Sequence, residues 1–437
     1  MSTEIVTPAS FRLATYTLEL IERRKFSLDR AFQEALRKVR RPAPDEVRAS
    51  YELTLTSLYS FAAADFALEQ EGLAGIPLRR KCAFRVAFAA IKERLLTERN
   101  LDFVKGGLLA GRLLSLLKER RVERVLELVE EIEDPTQRIA ITHSCPPWIV
   151  EELAKQLGLS RAERIVRALK TRRVWVRVNL LRAEPEEVEE RLRRCGYRVR
   201  RDKELPYLLE VVNPDFRLSR CPVFRRGLAV IHDKGSALIV EALGVLEEDI
   251  IADLAAAPGI KASLAQQIRR DSGYLVALDI SYARMRSMRS LVRGQGIKML
   301  DMVVADSRTL PLRTSKFDKV LLDSPCTNSG AIPQDPGLRL ALWRRPALER
   351  YVETQEALIS HALNALKPGG RLVYSVCSLS YAEGEGHFEK MEEWLVPPGP
   401  RFEKCYPSFP DPKLAGRLFP DVHGTIGYFI AIMEKPC

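Results

Sequence analysis

The sequence has no long uncharged run. The longest, Leu53–Ala64, Ile139–Val150 and Val422–Met433, are 12 residues each, short of the roughly 18 that a membrane-spanning helix needs. No transmembrane helix is expected. The opening residues, MSTEIVTPASFRL, lack both a basic n-region and an apolar h-region, so secretion is not expected and the chain reads as cytoplasmic. Cysteine is sparse, and its 8 copies contain no C-x-x-C pair. That argues against a zinc ribbon or other metal site and leaves reduced thiols as the expectation for an intracellular protein. Internal repeats and low-complexity tracts are also missing.

What is present is a chain of 437 residues, 46% apolar and 29% charged, with a net charge of +11, long enough for about three domains with cores of their own. The charge is uneven: residues 1–150 contribute about +3, whereas Arg161–Arg200 alone contribute +7. A basic concentration of this kind suggests a polyanionic partner, and a solvated, salt-bridged surface is the alternative reading.

Residues 9 to about 135 read as helices. Leu28, Ala31, Phe32, Ala35, Leu36 and Val39 form one buried stripe that stops before Arg41-Pro42, and Asp45 is the expected N-cap of a second stripe running from Val47 to Tyr59. From Cys145 the texture changes. A helix from Pro147, an alternating strand Val174–Asn179, a helix Pro185–Cys195 and short strands Tyr207–Val212 and Leu228–His232 predict a small α+β module. Beyond about Val230, apolar strands alternate with helices, which predicts a mostly parallel sheet covered on both faces, with ligands at the strand C-termini. The expected domains are 1–140, 141–228 and 229–437.

Strand Ile250–Asp253 runs into Leu-Ala-Ala-Ala-Pro-Gly-Ile-Lys261 and then a helix. Small residues let backbone approach a ligand, and the helix start offers N–H groups to an anion. Asp279, at the end of the next strand, has the spacing of an acid that accepts ribose hydroxyls, with a helix N-cap as the alternative. Asp306 and Asp323 follow at or just past later strand ends. Four successive strands thus carry an acid at the same edge.

These segments, DLAAAPGIK, ALDIS, ADSR, FDKVLLDSPCTNSG and RLVYSVCSLSYAEGE in this order, with PPWIV, WVRVN and GLAVIHD upstream, resemble the Sun (Fmu) family of S-adenosylmethionine-dependent RNA cytosine-C5 methyltransferases. The resemblance implies a Rossmann-like α/β methyltransferase domain, an RRM-like α+β module and, from layout alone, a NusB-like helical RNA-binding domain. It puts Ala255, Ala256, Ala257, Pro258, Gly259, Ile260 and Lys261 around the methionine part of S-adenosylmethionine, Asp279 on the ribose, Asp306 near the adenine and Asp323 between cofactor and base. His232 lies in a family-like segment and is expected to line the cofactor pocket. The chain departs from the family's usual pattern at Ile260 for a second glycine, Thr327-Asn328 for Ser-Gly, Val376 for threonine and Gly384 for asparagine.

Cytosine C5 is a poor nucleophile, so its methylation calls for a temporary covalent bond at C6, for which a thiolate suits. By resemblance Cys377 is that nucleophile and Cys326 assists product release, while Asp323 bonds the cytosine N4/N3 edge and Lys261 supplies a nearby cation. The base must leave any stack to reach such a pocket. By the same resemblance the expected partner is RNA, rRNA ahead of tRNA, acted on by a monomer without a metal. Two other readings compete: a catalytically degenerate RNA-binding or ribosome-assembly factor, and a methyltransferase of DNA, whose Pro-Cys is usually followed by Gln where this chain has Thr327, or of an exocyclic amine, for which Asp-Ser-Pro-Cys is the wrong loop.

Overall fold

The computed structural model describes residues 6–39, 42–104, 107–214, 218–309 and 314–436. Residues 1–5 of the opening segment and Arg41 of the expected helix stop lie outside the described residues. The chain divides into two compact units, Met1–Lys170 with Ala331–Pro346, and Thr171–Gly330 with Ala347–Cys437.

The first unit is helical. The expected stripe folds as helix Leu28–Lys38, capped by Ser27 and burying Leu28, Ala31, Phe32 and Ala35. The next helix, Pro44–Leu58, starts before Asp45, so the expected cap is corrected to Ala43. Pro44 sits at a first-turn position where no N–H is needed, and Glu46 reaches back to Ala43 N at 3.0 Å. Phe11, Phe61, Phe84 and Phe88 are fully buried here, as is Arg85, which is neutralised by Asp65 and Glu22. Segment 331–346 is built into the same unit. Arg339, fully buried, donates to the carbonyls of His143 (2.8 Å) and Ser144 (3.2 Å), and Trp148 Nε1 donates to Leu342 O at 2.9 Å.

The second unit holds two sheets. Strands β1 (Val174–Val178), β2 (Val199–Arg201), β3 (Leu208–Val211) and β4 (Ala229–Ile231) form an antiparallel sheet in the order β2-β3-β1-β4. Here the expectation of reduced thiols fails: Cys195, at the end of helix Pro185–Arg194, and Cys221, before Pro222–Arg225, form a disulfide with Cα atoms 6.3 Å apart. The fold of the module brings together two cysteines that no short spacing links. The basic run is also largely neutralised in place. Arg191, Arg193 and Arg194 each pair with the glutamate four residues earlier, Arg173 and Arg200 pair with Glu210, and Arg201 pairs with Glu186 and Glu189.

The larger sheet contains β5 (Ile250–Asp253), β6 (Tyr274–Asp279), β7 (Leu300–Val304), β8 (Phe317–Asp323) and β9 (Leu366–Val376), all parallel, then β10 (Leu395–Val396), β11 (Glu403–Lys404), β12 (Ala415–Leu418) and β13 (Tyr428–Glu434). Its order, β11-β12-β13-β9-β8-β5-β6-β7, reverses direction between β5 and β8, while β13 runs antiparallel to β9. Ligands of open α/β sheets bind at such a reversal, outside the strand C-termini. Asp253, Asp279 and Asp323 end their strands there, and Asp306 lies two residues past β7.

Candidate active site

The loop after β5 is shaped by its own backbone. Gly259 adopts φ +94°, and a Cβ there would meet Met288 Cγ at 2.7 Å, so only glycine fits between this turn and the neighbouring helix. Helix Ile260–Ile268 starts at once and leaves its first N–H groups at the strand edge. Behind it lies Arg177, fully buried, whose guanidinium donates to Ile260 O (2.8 Å) and Ser263 Oγ (2.8 Å) and lies 3.0 Å from His232 Nδ1. His232 is buried and held well below its ordinary pKa, by burial and then by the charge of Arg177. It is therefore a neutral partner of Arg177.

The expected acids converge on this loop. Asp279 is only 3% exposed; it accepts from Ala257 N (3.2 Å) and Ser281 N (2.9 Å) and faces Arg284 Nη1 at 3.2 Å. Ser281 caps the following helix, so the alternative capping role of Asp279 is not the one realised. Asp306 is held below the usual carboxylate range by hydrogen bonds from Arg308. Asp323 receives Lys261 Nζ at 2.7 Å on one oxygen and Ser375 Oγ at 2.7 Å on the other. Asp253 is 1% exposed with both oxygens unpartnered among the described residues, and its carboxyl is pushed up to about 7 by burial and then by the charge of Asp323.

Adjacent strands β8 and β9 deliver the two cysteines. Cys377 directly follows β9, and Cys326 lies three residues past β8; their sulfurs are 3.4 Å apart. Cys377 is the more exposed and lies 2.9 Å from Asn328 Oδ1. Cys326 is buried, and its thiol is held well above the ordinary range by the Cys377 contact and by burial. Asn328 takes φ +60°, a conformation that asparagine tolerates better than most residues, which accounts for asparagine where the family usually has glycine. Asn328, Ser375 and Arg177 were not singled out from sequence. Their visible signals were the Asn328 departure and the places of Arg177 in WVRVN and Ser375 in RLVYSVC.

Residues 240–434 match the family described as 16S rRNA methyltransferase RsmB/F, and residues 145–215 match the ferredoxin-like domain of the RsmF/B-like methyltransferases. The tRNA (cytosine(72)-C(5))-methyltransferase of Pyrococcus horikoshii is 34% identical over 237 residues, covering 52% of this chain and 58% of the relative. Ribosomal RNA small subunit methyltransferase F of Shewanella sediminis is 32% identical over 237 residues, covering 52% of this chain and 49% of the relative. The chain thus spans about half the length of these curated relatives. The crystal structure of PH0851 superposes with a TM-score of 0.79 at 25% identity, covering 98% of this chain and 99% of that one. With its acids, its cofactor-type loop and its paired cysteines in family order, the chain belongs to the RsmB/F (Sun) family of S-adenosylmethionine-dependent methyltransferases.

Proposed function

We propose that this protein transfers a methyl group from S-adenosylmethionine to C5 of a cytosine in RNA, with ribosomal RNA the first candidate and transfer RNA the second. The observation that carries this reading is the pair of sulfurs 3.4 Å apart beside the Lys261–Asp323 contact. One thiol would serve amine methylation no purpose, and two in contact suit a bond that must be made and then broken.

The site fits the cofactor. The first N–H groups of helix Ile260–Ile268 open at the strand edge, Asp279 offers a carboxylate to ribose hydroxyls, and Asp306 would face the adenine, each acid now sharing its solvent side with a half-exposed arginine, Arg284 or Arg308. Ala255–Lys261 would line the methionine part. When bound, S-adenosylmethionine supplies an electrophilic methyl group.

The protein's own groups do the rest. Cys377 as thiolate forms a bond to cytosine C6, and the ring electrons move toward C5, which becomes nucleophilic. Asp323, held by Lys261 and Ser375, bonds the N4/N3 edge and stabilises the ring as charge develops. Cys326 assists the elimination in which the C5 proton leaves, the sulfur–C6 bond breaks and the aromatic ring returns. The helical unit, NusB-like in layout, and the basic module select and hold the RNA, and residues 229–437 bind the cofactor and do the chemistry. We take the protein to act as a cytoplasmic monomer.

The test is incubation with methyl-labelled S-adenosylmethionine and separate rRNA and tRNA pools, followed by nucleoside analysis. Label in 5-methylcytidine supports the reading. Label in N4-methylcytidine, or in no nucleoside, overturns it.

A further inference from the structure

A single carboxylate joins the residues that follow the two cysteines. Glu383 is fully buried. Its Oε1 accepts from Thr327 N (2.8 Å) and Gln355 Nε2 (3.2 Å), and its Oε2 accepts from Thr327 Oγ1 (2.6 Å) and Ser378 Oγ (2.5 Å). Thr327 is the neighbour of Cys326, and Ser378 is the neighbour of Cys377. Gln355 Nε2 also donates to Pro325 O at 2.9 Å, on the other side of Cys326. The buried Arg417 is taken elsewhere: it pairs with Glu385 and donates to the carbonyls of Ser378 and Ser380.

We propose that Glu383 is a positioning residue that sets the two thiols in register, and that it governs the releasing thiol more than the attacking one. The proposal rests on the reading of Cys377 as nucleophile and Cys326 as release residue. The asymmetry comes from what else holds each cysteine. The β9 ladder runs up to Val376, paired with Phe429, and Cys377 O accepts from Gly330 N at 3.0 Å. Cys326 lies in an irregular stretch, and three of the four Glu383 contacts reach its loop, two directly through Thr327 and one through Gln355. Charge-assisted bonds to a buried carboxylate are the stronger kind, and removing the acceptor leaves buried donors unpaired. A misplacement near 1 Å can cost on the order of a hundredfold in rate.

Replacing Glu383 by leucine should therefore let Cys377 attack but slow release, so that an RNA–protein adduct resistant to denaturing electrophoresis accumulates although both cysteines are present. Turnover should fall by about tenfold or more while adduct formation in a single turnover changes by less than about threefold. Glu383→Gln should restore most of the turnover, because its carbonyl still accepts from Thr327 N and Gln355 while the two hydroxyls can turn to accept from its NH2. Thr327→Val should also accumulate adduct, and Ser378→Ala should not. Cofactor affinity by calorimetry reports whether each variant is folded; if Glu383→Leu binds no cofactor, Thr327→Val against Ser378→Ala decides. Attack and release falling in equal proportion in the folded variants, or adduct in none of them, overturns the proposal. Cys326→Ala run in parallel separates the two readings: if it traps RNA and the Glu383 and Thr327 variants do not, the positioning role alone is wrong, and if it also traps nothing, the covalent reading fails.

Discussion

Lys261 Nζ lies 2.7 Å from Asp323 Oδ2, and the two side chains join the helix after β5 to the end of β8. Asp253, buried, stands close enough to Asp323 for its titration to be raised by it and lowered by Lys261. Lys261 is thus the cation that lets two acids share one end of the sheet. Lys261→Met should lower turnover by on the order of a hundredfold, the scale seen when one preorganised group is removed from a developing charge. Steady-state kinetics with saturating cofactor checks this, and unchanged turnover would reduce Lys261 to a structural tie.

Asp253 predicts a pH dependence of stability. Its carboxyl moves from an ordinary 3.8 to about 7 in the folded protein, so the fold holds this proton more tightly than the unfolded chain does. Its effect on stability is absent below about pH 4, grows unfavourable as pH rises from 4 to 7 and is complete above 7, at a few kcal/mol. Asp253→Asn removes that titration. The Tm of the variant relative to the natural protein should therefore rise between pH 4 and pH 8, and a constant difference would show that Asp253 ionises normally.

Asp279→Ala should weaken S-adenosylmethionine binding by about 1–3 kcal/mol, since it removes an anionic acceptor and also frees Ala257 N and Ser281 N. RNA binding should persist. Calorimetry and a filter-binding assay read the two separately, and unchanged cofactor affinity would contradict the ribose role.

The arginines of the basic run should not contribute equally to RNA binding. Arg194 already pairs with Glu190, whereas Arg172 is exposed and makes no ion pair among the described residues. Arg172→Ala should weaken binding more than Arg194→Ala and reduce the slope of log affinity against log salt by about one unit. Equal, unchanged slopes would mark the run as a solvated surface.

The acids and the glycine turn were legible because each sits within a few residues of a strand end, where local pattern and spacing carry the information. Asp253, Asp279 and Asp323 needed only the strand periods to be placed at one edge. Strands β10, β11 and β12 were missed because two to four residues hold no period. The Cys195–Cys221 bridge spans 26 residues with no spacing motif, so only the folded module shows it. Glu383 looked like any polar residue in a loop, and its four side-chain bonds go to three residues, of which Thr327 and Gln355 lie far away in the chain. Segment 331–346 follows the Cys326 motif in sequence, yet Leu340 and Arg339 are buried in the helical unit. Chain order alone had given it to the catalytic domain.

The covalent step is the centre of this account, and trapping it is the most direct measurement. Cys326→Ala protein incubated with S-adenosylmethionine and RNA should form an adduct stable to denaturing electrophoresis, and peptide mapping by mass spectrometry should place the RNA on Cys377. Cys377→Ala should form none and should not methylate. An adduct mapped to Cys326 in the Cys377→Ala protein, or normal turnover by Cys326→Ala, would contradict the assignment of the two thiols.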